Sequence, residues 1–393
     1  MRILQVSSSG ALGGAERILL DLASGLRARG HDVALISGED GPLLERASAL
    51  GRATLLPFPR RFATLGESGR NRAAVLASLP LVAAPVAGYI ARFRRAVRDW
   101  APEIVHTHGM KAHVVASCAG GAQVVWHVHD YASSRAVSAR LLGMCASRAA
   151  GAIAISESVA RDMATVSARL RCWTIPNAVD LRRFAPEGPS VDLDAAAGLP
   201  PASPGTVRVG LVATYAWWKG HDVFLHALAR IAPSVPVRGY IVGGPVYRTG
   251  AQSQVDPPTL RASIEALGLS GRVGLTGFVE DVPGVMRALD IVVHASTEPE
   301  PFGLTIAEGM ASGRAVIVSA AGGAAEIVQD GVDALTCVPG DDEAMAARIE
   351  TLTRDAALRH RLAAAARCSA RERFDRDRML GSVEAVYRQI VMS

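Results

Sequence analysis

The chain has 393 residues, long enough for two domains with separate cores, and its five cysteines (Cys118, Cys145, Cys172, Cys337, Cys368) are scattered. With no Cys-x-x-Cys pair among them, they argue against a zinc knuckle or a disulfide framework and suit a reducing compartment. Charge is uneven: residues 1–185 hold 23 Lys+Arg against 13 Asp+Glu, and the remainder 19 against 24. A basic first half suits an anionic partner, a membrane surface or a phosphorylated acceptor, but no recognition-helix, RNP or zinc-finger pattern accompanies it, so nucleic acid is not expected.

The chain opens straight into a strand ending at Val6 and then a glycine loop, so no signal peptide is expected. Short β-rich runs then alternate with helical stretches, the signature of parallel α/β layers. In the first half the strands are predicted at Ile3–Val6, Val33–Ile36, Ile104–His106, Val124–Val128, Ala152–Ile155 and Trp173–Ile175. Between them, Ala73 to Ala91 carry no charged side chain, a length that in principle spans a bilayer. The run is alanine-rich, interrupted by Ser78, Pro80, Pro85 and Gly88, and has arginines on both sides, whereas a spanning helix shows its basic excess on one. Two readings stay open for it: a helix packed on the core of the first domain, or one lying on a membrane surface. After a break at Ala185–Pro189, the stretch to Gly205 is rich in Pro, Ala and Gly and reads as a linker. Strands resume at Val207–Val212, Val237–Val242, Val273–Leu275, Ile291–Val293, Val316–Val318 and Leu335–Val338. The expected organisation is a domain over 1–185, a linker over 186–205, a second domain over 206–372 and a terminal helix over 373–393.

The segment most telling of function is Glu300-Pro301-Phe302-Gly303-Leu304-Thr305-Ile306-Ala307-Glu308, directly after the strand ending at His294. Gly303 is expected to open a helix running to about Met310, with Glu300 in the loop before it and Glu308 just inside. Helical side chains lean toward the N-terminus, so Glu308 should point toward the Glu300 loop. The free amides of the first turn favour an anion, and two carboxylates accept from hydroxyl groups. A ligand carrying both a diphosphate and hydroxyls, such as a nucleotide sugar, matches that layout. On spacing alone, either carboxylate could equally be a solvated helix cap.

Other motifs decide between these readings. Gly210-Leu211-Val212-Ala213-Thr214-Tyr215-Ala216-Trp217-Trp218-Lys219-Gly220 lies upstream and Gly322-Gly323-Ala324-Ala325-Glu326 downstream. The first half contributes Gly13-Gly14-Ala15-Glu16-Arg17, His129-Asp130 and Ile175-Pro176-Asn177-Ala178-Val179-Asp180. Together these motifs resemble the retaining glycosyltransferases of family 4, over essentially the whole chain. The resemblance implies an α/β GT-B fold, two Rossmann-like doubly wound parallel-sheet domains facing an interdomain cleft, with the last helix crossing back to the first domain.

Carried onto matching positions, the resemblance implies that Lys219 meets the donor diphosphate and Glu308 the ribose hydroxyls. Glu300 and the backbone amides of Phe302, Gly303 and Leu304 would hold the donor sugar and distal phosphate, and Phe278 and Val279 the base, mostly through backbone. Gly13 and Gly14 would let backbone approach the diphosphate or the acceptor, and His129 would sit over the donor sugar. One departure stands out: Thr214 occupies a position where many members have an arginine, and Trp217 and Trp218 replace smaller polar residues. Arg248, in the loop after Gly243-Gly244, is the candidate compensating phosphate contact. His106, His108 and His127 add to the histidines of the first half, but no carboxylate or cysteine completes a ligand set, so no protein-bound metal is expected and the histidines read as hydrogen-bonding or core residues.

The reaction so implied is sugar transfer from a nucleoside-diphosphate sugar to a hydroxyl of a glycan or lipid-linked acceptor, with retention and no tightly bound cofactor. UDP is favoured over GDP on family frequency alone. Three rivals share parts of the evidence: a glycoside hydrolase using two glutamates, a nucleotide-sugar epimerase of the same fold, and a non-catalytic nucleotide-sugar-binding protein. The expected location is cytoplasmic, with the basic first domain as a possible peripheral membrane contact.

Overall fold

The computed structural model describes residues 1–63, 72–245 and 254–392, which form two compact units. In the first unit, seven parallel strands are described: β1 (Arg2–Ser7), β2 (Asp32–Ser37), β3 (Ala53–Leu55), β4 (Ile104–His108), β5 (Gln123–Val128), β6 (Gly151–Ala154) and β7 (Cys172–Thr174). Their order is β3-β2-β1-β4-β5-β6-β7. In the second unit, β8 (Val207–Val212), β9 (Val237–Val242), β10 (Val273–Gly277), β11 (Ile291–His294), β12 (Ala315–Ser319) and β13 (Leu335–Cys337) run in the order β10-β9-β8-β11-β12-β13. Both sheets are parallel and doubly wound, with strand order reversing between β1 and β4 and between β8 and β11.

The strands read as near-continuous apolar runs because parallel sheets carry helices on both faces. Every residue of β4 and of β12 is buried. In the second unit, Val209, Leu211, Ile291, Val293 and Ile317 pack with Phe224, Leu228, Met345 and Ile349 from covering helices. Four helices of the second unit start on side-chain caps: Asp256, Asp281, Asp341 and Asp355 each accept from a backbone amide three residues on, satisfying an otherwise orphaned donor.

Strand β3 has no counterpart in the sequence expectation. It has three residues, lies at the sheet edge paired only with β2, and is exposed at Thr54 and Leu55, so it carries no buried run to reveal it. The unit boundary also differs from the expected one: it falls between Asn177 and Ala178 rather than at 185. Residues 186–205 are not a free linker. A short helix, Leu193–Ala196, buries Leu193 and Asp194 against the second sheet. The Asp194 carboxylate accepts from Tyr240 Oη at 2.6 Å, Arg238 at 2.7 Å and Arg208 at 3.2 Å. Burial alone would raise this carboxyl, but those donors hold it well below the usual carboxylate range.

The terminal helix runs Arg376–Val391, and residues from Asp377 onward belong to the first unit; Arg373 ends the preceding helix. Leu380 packs so closely on Gly25 that a Cβ there would lie 2.4 Å from Leu380 Cδ1. Glu384 accepts from Arg29 at 3.0 Å and pairs with His31 Nε2 at 2.8 Å.

The helix Arg72–Trp100 packs through Tyr89, Phe93 and Val97, four residues apart, and Tyr89 donates to the Leu56 carbonyl at 3.1 Å. On the N-terminal side of Tyr89, Leu81 is 60% exposed and Ala83, Ala84, Ala87 and Gly88 are also exposed. Among the described residues, no helix is long and apolar enough to cross a membrane.

Burial pushes the Glu384 carboxyl up, but His31 and Arg29 bring it below its ordinary value. A depressed carboxylate contributes stability that is present above the unfolded pKa of about 4.3 and lost as pH falls through the folded value. Glu384→Gln should therefore cost about 1 kcal/mol at pH 7, since the partly exposed Arg29 keeps Asp377 at 3.1 Å. Urea unfolding at pH 7 and pH 3.5 should show that difference shrinking in acid.

Candidate active site

In doubly wound sheets, ligands bind beyond the carboxyl ends of the strands where the order reverses. In the second unit that point lies between β8 and β11, and the loops leaving these strands carry Lys219 and Glu300. After β8 the chain forms one 3-10 turn, Trp217–Lys219, and Gly220 then adopts the left-handed conformation (φ 68°, ψ 36°) before the helix His221–Arg230. A Cβ on Gly220 would lie 1.9 Å from the Ala295 carbonyl oxygen, so only glycine lets the two loops touch. The Thr297 amide ties them again by donating to the Trp218 carbonyl at 2.8 Å.

This contact sets Lys219 Nζ 2.6 Å from Glu300 Oε2. The same oxygen accepts from Ser296 Oγ at 2.8 Å, with His294 Nε2 at 3.4 Å. Burial works to raise the Glu300 carboxyl, but the Lys219 charge and the His294 contact hold it well below the usual range. Glu300 is therefore a carboxylate at neutral pH, which does not suit the general acid a glycoside hydrolase needs. The Gly322-Gly323 turn braces its backbone: the Gly323 amide donates to the Glu300 carbonyl at 2.7 Å, and the Glu300 amide to Ala321 at 3.3 Å. Neither Ser296 nor this brace was evident from sequence, because a loop folding back on itself leaves no periodic signal.

Gly303 caps the next helix, Leu304–Ala311, in the left-handed region (φ 92°). The amides of Phe302, Gly303 and Leu304 make no hydrogen bond to another described residue, leaving helix-start donors available. Phe302 itself is buried edge-on against Phe374, centroids 5.8 Å apart. Glu308, in the second turn of the helix, is 5% exposed. Thr214 is half-buried, and its loop is held by the Tyr215 amide donating to Gly244 at 3.2 Å. Phe278 is 66% exposed and Val279 half-buried beside Gly277, whose carbonyl accepts from the Gly243 amide at 3.0 Å. Trp217 is half-exposed. Arg248 lies outside the described residues.

In the first unit the strand order reverses between β1 and β4. Gly13 caps the helix Gly14–Ala28 with an ordinary extended backbone, and its amide donates to Glu16 Oε2 at 3.0 Å. Glu16, buried, closes the helix start, a role not assigned to it from sequence. On β4 and β5 the alternation of side chains puts His106, His108 and His127 on one face, and His129 follows just past the end of β5. His129 Nε2 lies 2.9 Å from His108 Nδ1, and His108 Nε2 lies 2.8 Å from Gln5 Oε1. Burial pushes His129 down to about 3, so its imidazole is neutral at pH 7.

Two family profiles match the chain: Glycosyl transferases group 1 over residues 203–368 and Glycosyltransferase Family 4 over residues 12–183. Each half of the chain thus matches a glycosyltransferase family model. A lipopolysaccharide core biosynthesis mannosyltransferase of Rhizobium leguminosarum bv. viciae is 32% identical over 217 residues, 55% of this chain and 59% of that protein. A D-inositol 3-phosphate glycosyltransferase of Xylanimonas cellulosilytica is 34% identical over 233 residues, 56% and 51% of the two chains. The chain spans about half the length of the curated relatives it matches. Among solved structures, Anabaena HepE in complex with UDP superposes with a TM-score of 0.82 and 27% identity, covering 99% of this chain and 100% of its own. Its complex with UDP-glucose gives 0.81 over the same shares. The two sheets are those of the GT-B fold.

In the second unit, the approach at Gly220 is what brings the lysine to the glutamate. Gly220→Ala should destabilise the second unit by about 2 kcal/mol or more, through left-handed strain plus the clash with Ala295. Gly198→Ala, also left-handed (φ 66°) but with nothing within 4 Å, should cost only about 1 kcal/mol. Denaturant midpoints of the two variants measure the difference.

Proposed function

We propose that the chain transfers a sugar from a nucleoside-diphosphate sugar, UDP favoured over GDP, to a hydroxyl of a glycan or lipid-linked acceptor, with retention at the anomeric carbon. The observation that carries this reading is the Lys219–Glu300 pair at the switch point of the second sheet, next to the unused amides of Phe302–Leu304. HepE, at 27% identity over nearly the whole chain, is known with UDP and with UDP-glucose, which supports the uridine donor.

On this reading the donor exchanges one ion pair for two contacts. The diphosphate takes over Lys219, and a sugar hydroxyl donates to the oxygen of Glu300 that Lys219 leaves. As the bond from the anomeric carbon to the phosphate oxygen breaks, its electron pair goes to the diphosphate, where Lys219 and the helix-start amides stabilise it more than in the ground state. The acceptor oxygen attacks the same face of the oxocarbenium-like sugar and passes its proton to a phosphate oxygen. No protein nucleophile takes part. Glu308, buried on the same helix, is assigned the ribose hydroxyls, and Gly13 and Gly14 the close backbone approach. Neutral His129 is a hydrogen-bonding group for the reacting sugar.

A lipid-linked acceptor and peripheral membrane attachment belong to the same proposal. The exposed apolar residues around Leu81 in the helix Arg72–Trp100, in the basic half of the chain, support them.

A thermal-shift panel of nucleoside diphosphates with and without chelator tests the donor reading. UDP should raise the melting temperature regardless of chelator, and both Lys219→Ala and Glu308→Ala should abolish the shift and reduce turnover at least about a hundredfold. His129→Ala should keep the shift but lose turnover. Absence of a shift with every nucleotide would overturn the proposal. The protein should also sediment with anionic liposomes at low salt and be released at high salt; failure to sediment removes the membrane part alone.

A further inference from the structure

The end of the first sheet holds an unusual concentration of buried nitrogen. His106, His108 and His127 are each at most 3% exposed, and one nitrogen of each lies within 4.8 Å of the others. Their ring centroids are 4.8 to 5.1 Å apart. The cause is register: parallel pairing sets His108 beside His127, and two His-x-His sequences on adjacent strands then present their rings to one side. Several ring nitrogens are left over. His106 Nε2 and both nitrogens of His127 have no hydrogen-bond partner among the described residues. Buried polar atoms in native proteins are almost always satisfied by protein, water or a bound ion, so this grouping calls for an occupant.

We propose that His106, His108 and His127 form a binding site for a borderline divalent transition-metal ion of the Zn²⁺ class, within the first unit. Imidazole nitrogen is the ligand such ions favour, and three histidines suffice for a tetrahedral site with one position open. Metal-bound histidines hold their second nitrogen on an outer partner, which fixes the ring. For two of the three rings that partner is in place: His106 Nδ1 bonds the Tyr387 hydroxyl, and His108 Nε2 meets Gln5 Oε1 at 2.8 Å. His127 offers either nitrogen at no cost in hydrogen bonds. His108 enters through Nδ1, exchanging its bond to His129 Nε2 for the ion. The ion would fasten β4 to β5 and, through Tyr387, fix the terminal helix over them. The proposal concerns binding in the first unit and stands independently of the sugar-transfer reading.

The test uses the untagged full chain, stripped by chelator and titrated with Co²⁺ and Zn²⁺. Wild type should take up a single equivalent, with visible Co²⁺ absorption of a nitrogen-rich, low-coordinate site and a raised melting temperature. His127→Gln and His106→Gln should each weaken uptake at least about tenfold, while His226→Gln, exposed on a helix of the second unit, should leave it unchanged. Failure of wild type to bind stoichiometrically would mean that the cluster is a polar pocket satisfied by water, and the proposal falls. It falls equally if both cluster variants bind like wild type. Should the variants fail to fold, X-ray absorption of Zn²⁺-loaded wild type decides: fewer than three imidazole nitrogens around the ion overturns the assignment.

Discussion

The contact between the loops after β8 and β11 is the constraint on which the candidate site rests. It depends on the missing side chain of Gly220, which lets backbone come within reach of the Ala295 carbonyl. From that approach follow the Thr297–Trp218 hydrogen bond, the position of Lys219 and the 2.6 Å ion pair with Glu300. Half-buried opposite charges are worth holding only when geometry is good and remaining hydrogen-bonding capacity is filled. Here Ser296 and the Gly322-Gly323 turn supply what Lys219 alone does not, one to the carboxylate and the other to its backbone. The pair is therefore preorganised, and a ligand that separates it must replace both halves of the interaction.

The same geometry explains why polar residues gather where they do. A parallel sheet covered on both faces leaves little room for polar side chains except at the carboxyl ends of its strands, where chain reversals expose backbone donors. In the second unit this end carries a charged pair. In the first it carries neutral histidines: burial pushes His106 as well as His129 down to about 3. One end is thus equipped to meet charge, and the other to offer uncharged nitrogen.

Strands with buried, β-branched runs were legible from sequence because a parallel sheet core demands them; β12 and β8 are examples. Strand β3 was not, since an exposed three-residue edge strand has no pattern of its own. Residues 186–205 misled for a different reason. Their Pro, Ala and Gly content is that of a linker, yet Asp194 anchors them through Arg238, Arg208 and Tyr240 of β8 and β9, partners between 14 and 46 residues away. Composition registers local preference and says nothing of a distant guanidinium.

What the sequence determined by itself was the class of fold and the identity of the motif residues. Glycines at forced turns, apolar runs of strand length and carboxylates at a helix start are local properties, set within a few residues by backbone sterics and periodicity. Only the tertiary structure decided that Lys219 and Glu300, 81 residues apart, share a proton-bearing contact, that a Gly-Gly turn serves as its brace, and that two His-x-His stretches converge. Such pairings depend on strand order and register. These are settled by burial of the whole sheet, and no segment carries that information alone.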